Sequence, residues 1–338
     1  MLLLVEKPNI RVPILAANPQ YFSTAEEVAS DMHYHGYEPF GIVTSSNPEE
    51  TASALASTLG RIGICPSLCA VLVIGGDGTT NNVRLAMKTP EVQGLTQGLT
   101  PLSSVGGGFA GDSRRGEHGE RRKNPTDILK RGVVVPAWYM TREIQRPDGT
   151  ITSSEASLYG GTGKTGNAAE KTNDATAKEQ PRLVRALRIG LGTTFEDSSI
   201  QIQLGKNKPM RVGDVTVSVS GHMAMAGKLP TRLWHGDLQV FITKAGRAAS
   251  AVGALCLLTG IPIGEKHSDT FEFTVLDPAK THVDGEPPTD LEEGCVVRYA
   301  LSPDTYPILT TRMVPRLSHA IGRSRASYSF ASNDRCAS

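Results

Sequence analysis

The pattern of apolar and polar residues in the first third of this chain differs from the pattern in the remainder. Short apolar runs in roughly the first 130 residues are separated by segments with helix signals, an order typical of a parallel α/β layer. Ser23 and Glu26 form a capping-box pattern before a predicted helix, and Asn47 with Pro48 predicts the start of another. The predicted strands are residues 12–17, 40–43 and 70–74.

From about Val133 the polar and apolar residues alternate within short runs, as expected of antiparallel strands with one wet face. Asp148-Gly149 predicts the turn of a hairpin. Further strands are predicted at residues 200–204, 215–219, 238–242, 271–275 and 296–299, with a helix at 247–258. We therefore predict an α/β protein with a Rossmann-like nucleotide-binding domain at 1–132 and a mainly antiparallel β-sandwich domain at 133–313. The last segment of the sandwich domain is expected to return to the first domain, and residues 314–338 are predicted to be a disordered tail.

Charge and hydropathy exclude some classes of function. The net charge is +1, which gives no global electrostatic case for nucleic-acid binding. No apolar run approaches the roughly 18 residues that a membrane helix needs, and the apolar start at Met1 is too short for a signal peptide. The five cysteines show no zinc-site spacing. A cytoplasmic location is expected.

The glycine loop, residues 75–79 (Gly-Gly-Asp-Gly-Thr), directly follows the third predicted strand and precedes a predicted helix. Glycines allow a ligand to approach the backbone closely, and a helix N-terminus attracts anions. In parallel sheets, ligands bind at the carboxyl ends of the strands, which is also where Asn18 and Thr44 fall. The pattern predicts a nucleotide-phosphate site, with a plain strand-to-helix turn as the alternative.

Five motifs in order resemble the diacylglycerol kinase catalytic-domain family, which includes bacterial diacylglycerol kinases and the sphingosine and ceramide kinases. They extend over about residues 12–310. They are the glycine loop with Asn81, Asn18-Pro19, Thr44, residues 108–115 (Gly-Phe-Ala-Gly-Asp-Ser-Arg-Arg) and residues 283–286 (Val-Asp-Gly-Glu).

The resemblance implies an ATP- and Mg²⁺-dependent lipid kinase whose active site lies in a cleft between its two domains. Asp77 would organise Mg²⁺ or the phosphates, and Glu286 would be the general base that deprotonates the lipid hydroxyl. The lipid would be met by peripheral contact with a membrane surface. The oligomeric state stays open, with a homodimer among the candidates. The residues implied to hold ATP are Asn18, Thr44, Gly75, Gly76, Asp77, Gly78, Thr79, Asn81 and Gly108.

Four positions depart from the family pattern. Phe109 and Gly111 replace a Thr and an Asn, and Asn82 stands where the family usually carries Glu. His235 replaces an Asp that holds a structural Mg²⁺ in some members, which puts a second metal in doubt. These changes suit a divergent kinase or a non-catalytic nucleotide- or lipid-binding protein. A kinase with a soluble acceptor, of the NAD kinase type, is the nearest rival, although the late Val-Asp-Gly-Glu motif fits lipid kinases better.

Two further segments carry possible chemistry. Residues 161–165 (Gly-Thr-Gly-Lys-Thr) look like the end of a P-loop, but Leu158 stands where the first Gly is required. Without a strong preceding strand, a loop before a helix from about Ala168 is the favoured interpretation. Residues 114–123 contain five basic side chains that could grip phosphates or an anionic membrane surface. Because acidic residues such as Glu117 dilute that charge, a solvated loop is favoured.

Overall fold

The structure is a computed structural model, and the chain divides into two compact units. The first unit comprises Met1–Ala137 and Pro303–Ser338, and the second unit comprises Trp138–Ser302. The structure describes residues 8–106, 117–118, 124–156, 158–173, 188–189, 192–193, 199–220, 222–223, 227–228, 236–259, 266–284 and 287–311.

The first unit is built on a parallel sheet. Its strands are adjacent in the order β17-β4-β3-β1-β2, with the C-terminal end of β17 (Val296–Thr310) at one edge. The other elements of this unit are β1 (Val12–Ala17), α1 (Phe22–Tyr34), β2 (Phe40–Val43), α2 (Pro48–Ile62), β3 (Cys69–Ile74), α3 (Asp77–Met87), α4 (Pro90–Thr96), β4 (Leu102–Gly106) and α5 (Pro125–Arg131).

Two apolar cores cover the two faces of this sheet. Alternate residues of β3 divide between them: Val71 and Val73 pack with α2, α3 and α4, whereas Leu72 and Ile74 pack with α1 and α5. All six residues of β3 are buried, which explains why its sequence is continuously apolar. The Rossmann-like architecture predicted for this part is confirmed.

Of two helix starts predicted in this unit, one is confirmed and one is wrong. Asn47 caps α2, because its side chain accepts a hydrogen bond from the Glu49 amide at 2.9 Å. The capping box at Ser23 was a wrong prediction: α1 begins at Phe22, and its N-cap Tyr21 makes no side-chain cap bond. A short 3-10 turn between β1 and α1 moves the helix start toward the strand.

The second unit is mainly antiparallel. Strands β16, β15, β7 and β9 are adjacent in that order, and β9 pairs with β8 through its first half and with β12 through its second. The bounds are β5 (Val133–Gln145, which begins in the first unit), β6 (Ile151–Ala156), β7 (Tyr159–Gly163), α6 (Lys164–Asn173), β8 (Ile200–Gln203), β9 (Met210–Ser218), β10 (His222–Met223), β11 (Gly227–Lys228), β12 (Leu238–Lys244), α7 (Arg247–Thr259), β13 (Lys266–Ser268), β14 (Thr270–Val275), β15 (Ala279–Val283) and β16 (Thr289–Leu291).

Most sequence-based expectations for this unit are confirmed. The hairpin around Asp148-Gly149 joins β5 to β6 with Met140 opposite Ala156, and Gly149 has the positive φ that the turn requires. The predicted helix at 247–258 is α7. Within the described ranges, no helix is both long and apolar enough to cross a membrane.

Alanine substitution at two helix-associated glycines should change the free energy of unfolding in opposite directions. Gly60 lies in α2 with open space where a Cβ would be, so Gly60→Ala should raise the free energy of unfolding by about 0.5–1 kcal/mol. A Cβ on Gly132, after α5, would meet the Leu309 side chain at 2.7 Å, so Gly132→Ala should lower it by about 1–3 kcal/mol. Urea unfolding of both variants checks this, and equal effects would contradict it.

Candidate functional site

Strand register brings three of the predicted site segments to one edge of the first unit's sheet. Ala17, the last residue of β1, is directly opposite Ile74 at the end of β3. The Asn18 amide donates to the Ile74 carbonyl at 3.0 Å, and the Thr44 amide donates to the Ala17 carbonyl at 2.9 Å. Asn18, Thr44 and Gly75 therefore follow the carboxyl ends of neighbouring strands, as the sequence predicts.

The first glycine of the glycine loop is required by space rather than by backbone conformation. None of Gly75, Gly76 and Gly78 has a positive φ angle. A Cβ on Gly75 would lie 2.6 Å from the Cβ of Thr79, a distance that real side chains do not adopt. The Gly75 amide also donates to the Gly106 carbonyl at 2.7 Å, which ties the loop to the end of β4. Gly75 thus lets the first turn of α3 fold back closely on the strand.

The N-terminus of α3 differs from those of α2 and α5. The side chains of Asn47 and Asn124 cap those two helices by accepting a hydrogen bond from a backbone amide, whereas the N-cap of α3 is Gly76, which has no side chain. Asp77 lies in the first turn, where the helix dipole favours a negative charge. The first turn of α3 can therefore direct backbone amides toward an anion such as a phosphate.

Two polar side chains accompany this helix start. Asn18 accepts from the Gln20 amide at 3.1 Å, and its amide nitrogen donates to the Thr79 hydroxyl across 3.5 Å. The hydroxyl of Thr44 is buried and makes no hydrogen bond. An unsatisfied buried hydroxyl is unfavourable, so a polar ligand at this edge would compensate it.

Asn81 is buried and already holds another side chain. Its Oδ1 accepts hydrogen bonds from Arg84 Nε at 3.1 Å and Nη2 at 2.8 Å. The Arg84 guanidinium, which is 1% exposed, also lies over the ring of Tyr306 at 5.7 Å. Asn81 therefore positions a buried arginine, and direct contact of Asn81 with nucleotide stays a prediction.

Asn82, which stands where the family usually carries Glu, connects two helices. Its Oδ1 accepts from the Thr51 hydroxyl at 3.0 Å, and its Nδ2 donates to the Ser46 carbonyl at 3.0 Å. A carboxylate could not make the second bond, because it has no donor. Asn82, in place of Glu, therefore fixes α3 against the start of α2.

A buried polar cluster near β4 was not expected from the sequence. Glu117, predicted to be on a solvated loop, is 1% exposed and accepts from the Ser104 amide at 2.6 Å. His118 Nε2 lies 2.9 Å from the Ser103 hydroxyl, and the Thr311 amide donates to Nδ1 at 3.3 Å. Because that backbone amide can only donate, Nδ1 is the accepting nitrogen. No local pattern in a charged segment signals this burial.

Several predicted positions lie outside the described residues, and so do the predicted tail and residues 119–123. Among the described residues, no cluster of three His, Cys, Asp or Glu side chains could hold a metal ion. The predicted positions outside the described ranges are Gly108, Phe109, Gly111, His235, Gly285 and Glu286.

Asp284, which begins the late Asp-Gly-Glu motif, is described and buried. Its carboxylate accepts from the Leu158 amide, at 3.1 Å to each oxygen, and from the Tyr159 amide at 2.9 Å. Its φ is +36°, a conformation that few residues other than glycine adopt. The backbone at the end of β15 is thus held firmly.

The P-loop-like segment proves to be a strand followed at once by a helix. The sequence predicted a loop before a helix from about Ala168, but α6 begins at Lys164 directly after β7. The Thr165 amide and hydroxyl both donate to Asp214 Oδ1 at 2.8 Å. Burial raises the pKa of Asp214 to about 6, against the lowering effect of its hydrogen bonds and of Lys164. The anion at this helix start is therefore the Asp214 carboxylate of the chain itself, where a true P-loop binds a phosphate.

The pKa of buried His282 is lowered to about 4, first by burial and second by the charge of Arg142. The unfolded chain takes up this proton near pH 6.5, so the stability contributed by neutral His282 is present above pH 6.5 and is lost as the pH falls toward 4. Asp214 acts oppositely: its contribution is complete below pH 3.8 and is lost as the pH rises through about 6.

We predict that His282→Gln removes an acid-side loss of stability of about 3 kcal/mol between pH 6.5 and 4. The measurement is the difference in unfolding free energy between variant and wild type at several pH values, which cancels the Asp214 contribution. A difference that does not change with pH would contradict the prediction.

The resemblance implies ATP at the glycine loop, and Gly75→Ala should weaken that binding, because the new Cβ must displace Thr79 and the first turn of α3. Overpacking of this kind costs about 1–3 kcal/mol, and each 1.4 kcal/mol borne by the binding site raises the Kd about tenfold. Calorimetric titration with ATP measures the effect. Gly60→Ala is the matched control, since it adds the same methyl group in open space and should leave the Kd unchanged.

No protein-family model matches this sequence, and no curated protein matches it. Among solved structures, a protein from Bacillus anthracis str. Sterne, with a provisional assignment as a diacylglycerol kinase, has a TM-score of 0.60 at 12% identity. The match covers 90% of this chain and 98% of that chain. A structure of a diacylglycerol kinase from the same strain has a TM-score of 0.53 at 13% identity, with the same coverage.

A structure of yeast NADH kinase with NADH has a TM-score of 0.49 at 11% identity, covering 96% of this chain and 91% of that chain, which is too distant to support an argument. Identities this low bear on the fold alone. The chain therefore has the fold of the Bacillus anthracis proteins, as its resemblance to the diacylglycerol kinase catalytic-domain family predicted.

Proposed function

We propose that this protein is an ATP-dependent kinase that phosphorylates a hydroxyl group of a diacylglycerol- or sphingoid-type lipid. The observation that carries the proposal is the start of α3. It has no side-chain cap, contains Asp77 in its first turn, and packs closely on β3 because Gly75 lacks a Cβ. The fold shared with diacylglycerol kinases supports the choice of a lipid acceptor.

The proposed chemistry divides between phosphate binding and proton transfer. The amides of the glycine loop would bind the ATP phosphates, with Asn18 holding Thr79 and with Thr44 adding its unsatisfied hydroxyl. Asp77 offers one carboxylate, which suits a Mg²⁺ ion whose remaining ligands are phosphate oxygens and water. Glu286 would accept the proton of the lipid hydroxyl, because phosphoryl transfer needs a positioned base as well as charge neutralisation.

A soluble acceptor of the NAD kinase type is the second candidate. The glycine loop does not distinguish the two, because phosphate binding at the start of α3 is the same whether the accepting hydroxyl belongs to a lipid or to a soluble molecule.

The test is transfer of label from γ-labelled ATP with Mg²⁺ to diacylglycerol, ceramide, sphingosine and monoacylglycerol in micelles, and to NAD in solution. We expect label in one lipid. Asp77→Ala should reduce turnover at least about 100-fold, because a preorganised electrostatic group is lost. Glu286→Gln should lower kcat about 10²- to 10⁴-fold and leave ATP binding within about twofold.

Glu293→Gln is the matched control, since it makes the same change at an exposed turn residue and should retain full activity. Label in NAD alone would replace the lipid proposal with the soluble-acceptor candidate. ATP binding without transfer to any acceptor, in wild type and variants alike, would contradict the proposed kinase activity and favour a nucleotide-binding protein.

A further inference from the structure

Arg142 is a buried cation on β5, 5% exposed, that has no carboxylate partner among the described residues. Within that part of the chain, the only hydrogen bond of its side chain is a long one, from Nη1 to the Thr281 hydroxyl at 3.5 Å. Its Nε is buried and makes no hydrogen bond. Among the described residues, no Asp or Glu forms an ion pair with it. The buried Asp214 interacts instead with Lys164.

A second unsatisfied polar atom lies beside Arg142. Ser154 on β6 is the direct cross-strand partner of Arg142, so the two side chains are on the same face of the hairpin. The Ser154 hydroxyl is buried and makes no hydrogen bond. Two buried polar atoms without hydrogen bonds, Arg142 Nε and Ser154 Oγ, are thus on adjacent strands and in register, and they define one place where polar contacts are missing.

The surroundings of Arg142 are rich in hydroxyl groups. Thr281, which accepts from Arg142, donates to the Gly161 carbonyl at 3.0 Å and lies 3.4 Å from the Tyr299 hydroxyl. The positive charge of Arg142 also acts on its neighbours: it helps to lower the pKa of His282, and it opposes the burial that raises the pKa of Tyr299. The Asp214 carboxylate acts on the pKa of Tyr299 in the opposite direction.

An unpaired guanidinium in a protein interior is strongly unfavourable, because the lost hydration is not replaced. An oxyanion restores the balance, since two of its oxygens can accept from guanidinium N–H groups and from a neighbouring hydroxyl. We propose that Arg142 and Ser154 form an internal oxyanion site in the second unit, which binds a phosphate or carboxylate group. This site is independent of the glycine loop and of the proposed kinase activity.

The test observes Arg142 itself. In protein labelled with ¹⁵N-arginine, the Nε–H signal of Arg142 is identified by its absence in Arg142→Met. Sodium phosphate, sodium acetate and a soluble short-chain phosphatidic acid are added separately, with sodium chloride at equal ionic strength as the reference. We expect a saturable shift of the Arg142 signal with an oxyanion. Arg146, which is paired with Glu292 at 3.1 Å, should not shift.

The comparison of probes identifies the source of the oxyanion. A shift with inorganic phosphate or acetate indicates a free ion, and a shift with phosphatidic acid alone indicates a lipid headgroup. No shift with any probe, or an equal shift with chloride, would overturn the proposal. The readout does not depend on turnover, so it gives the same answer whether or not the kinase proposal holds.

Thermal unfolding supplies a second criterion. In chloride buffer without oxyanions, Arg142→Met should melt at the same temperature as wild type or higher, because it removes an uncompensated charge. The rise in Tm that acetate or phosphate produces in wild type should be smaller in Arg142→Met, a difference that is insensitive to phosphate bound elsewhere. A variant that melts several degrees lower without oxyanions would show that Arg142 is already compensated inside the protein.

Discussion

The candidate nucleotide site depends on the parallel register of β1, β2 and β3. Burial on both faces of β3 fixes that register, because a shift by one residue would exchange the apolar sets that pack against the two helix layers. Once the register is fixed, the residues that follow each strand must lie together at the end of the sheet where the carboxyl ends of the strands meet. The positions of Asn18, Thr44 and Gly75 are consequences of core packing in the first unit.

Close packing at the start of α3 then determines what this edge can bind. The usual reason given for glycines in such loops is access to left-handed backbone conformations, but none of the three glycines here uses one. Gly75 is instead needed because Thr79 occupies the space of its Cβ. A helix start brought this near to the strand end, and capped by Gly76, leaves backbone amides as the groups that meet an anion.

Two buried charged side chains of the second unit, Asp214 and Arg142, differ in how many hydrogen bonds they make. Asp214 accepts hydrogen bonds from several donors, including Thr165 and Thr216, which offset part of the burial that raises its pKa. Arg142 has no comparable set of acceptors in the described part of the chain, although the hydroxyl groups of Thr281 and Ser154 lie near it. Since buried polar groups are normally satisfied, the difference between these two residues is what makes Arg142 informative.

The sequence alone determined the first three parallel strands, the antiparallel character of the later part, the hairpin at Asp148-Gly149 and the position of the glycine loop, because hydrophobic periodicity and turn residues are local signals. It could not show that Glu117 is buried, that α6 begins at Lys164, or that Arg142 lies opposite Ser154 with no counter-charge among the residues that the structure describes. These facts depend on residues distant in sequence, such as Ser104, Asp214 and Thr281. Only the tertiary structure brings such partners together, so only it decided which polar residues are satisfied.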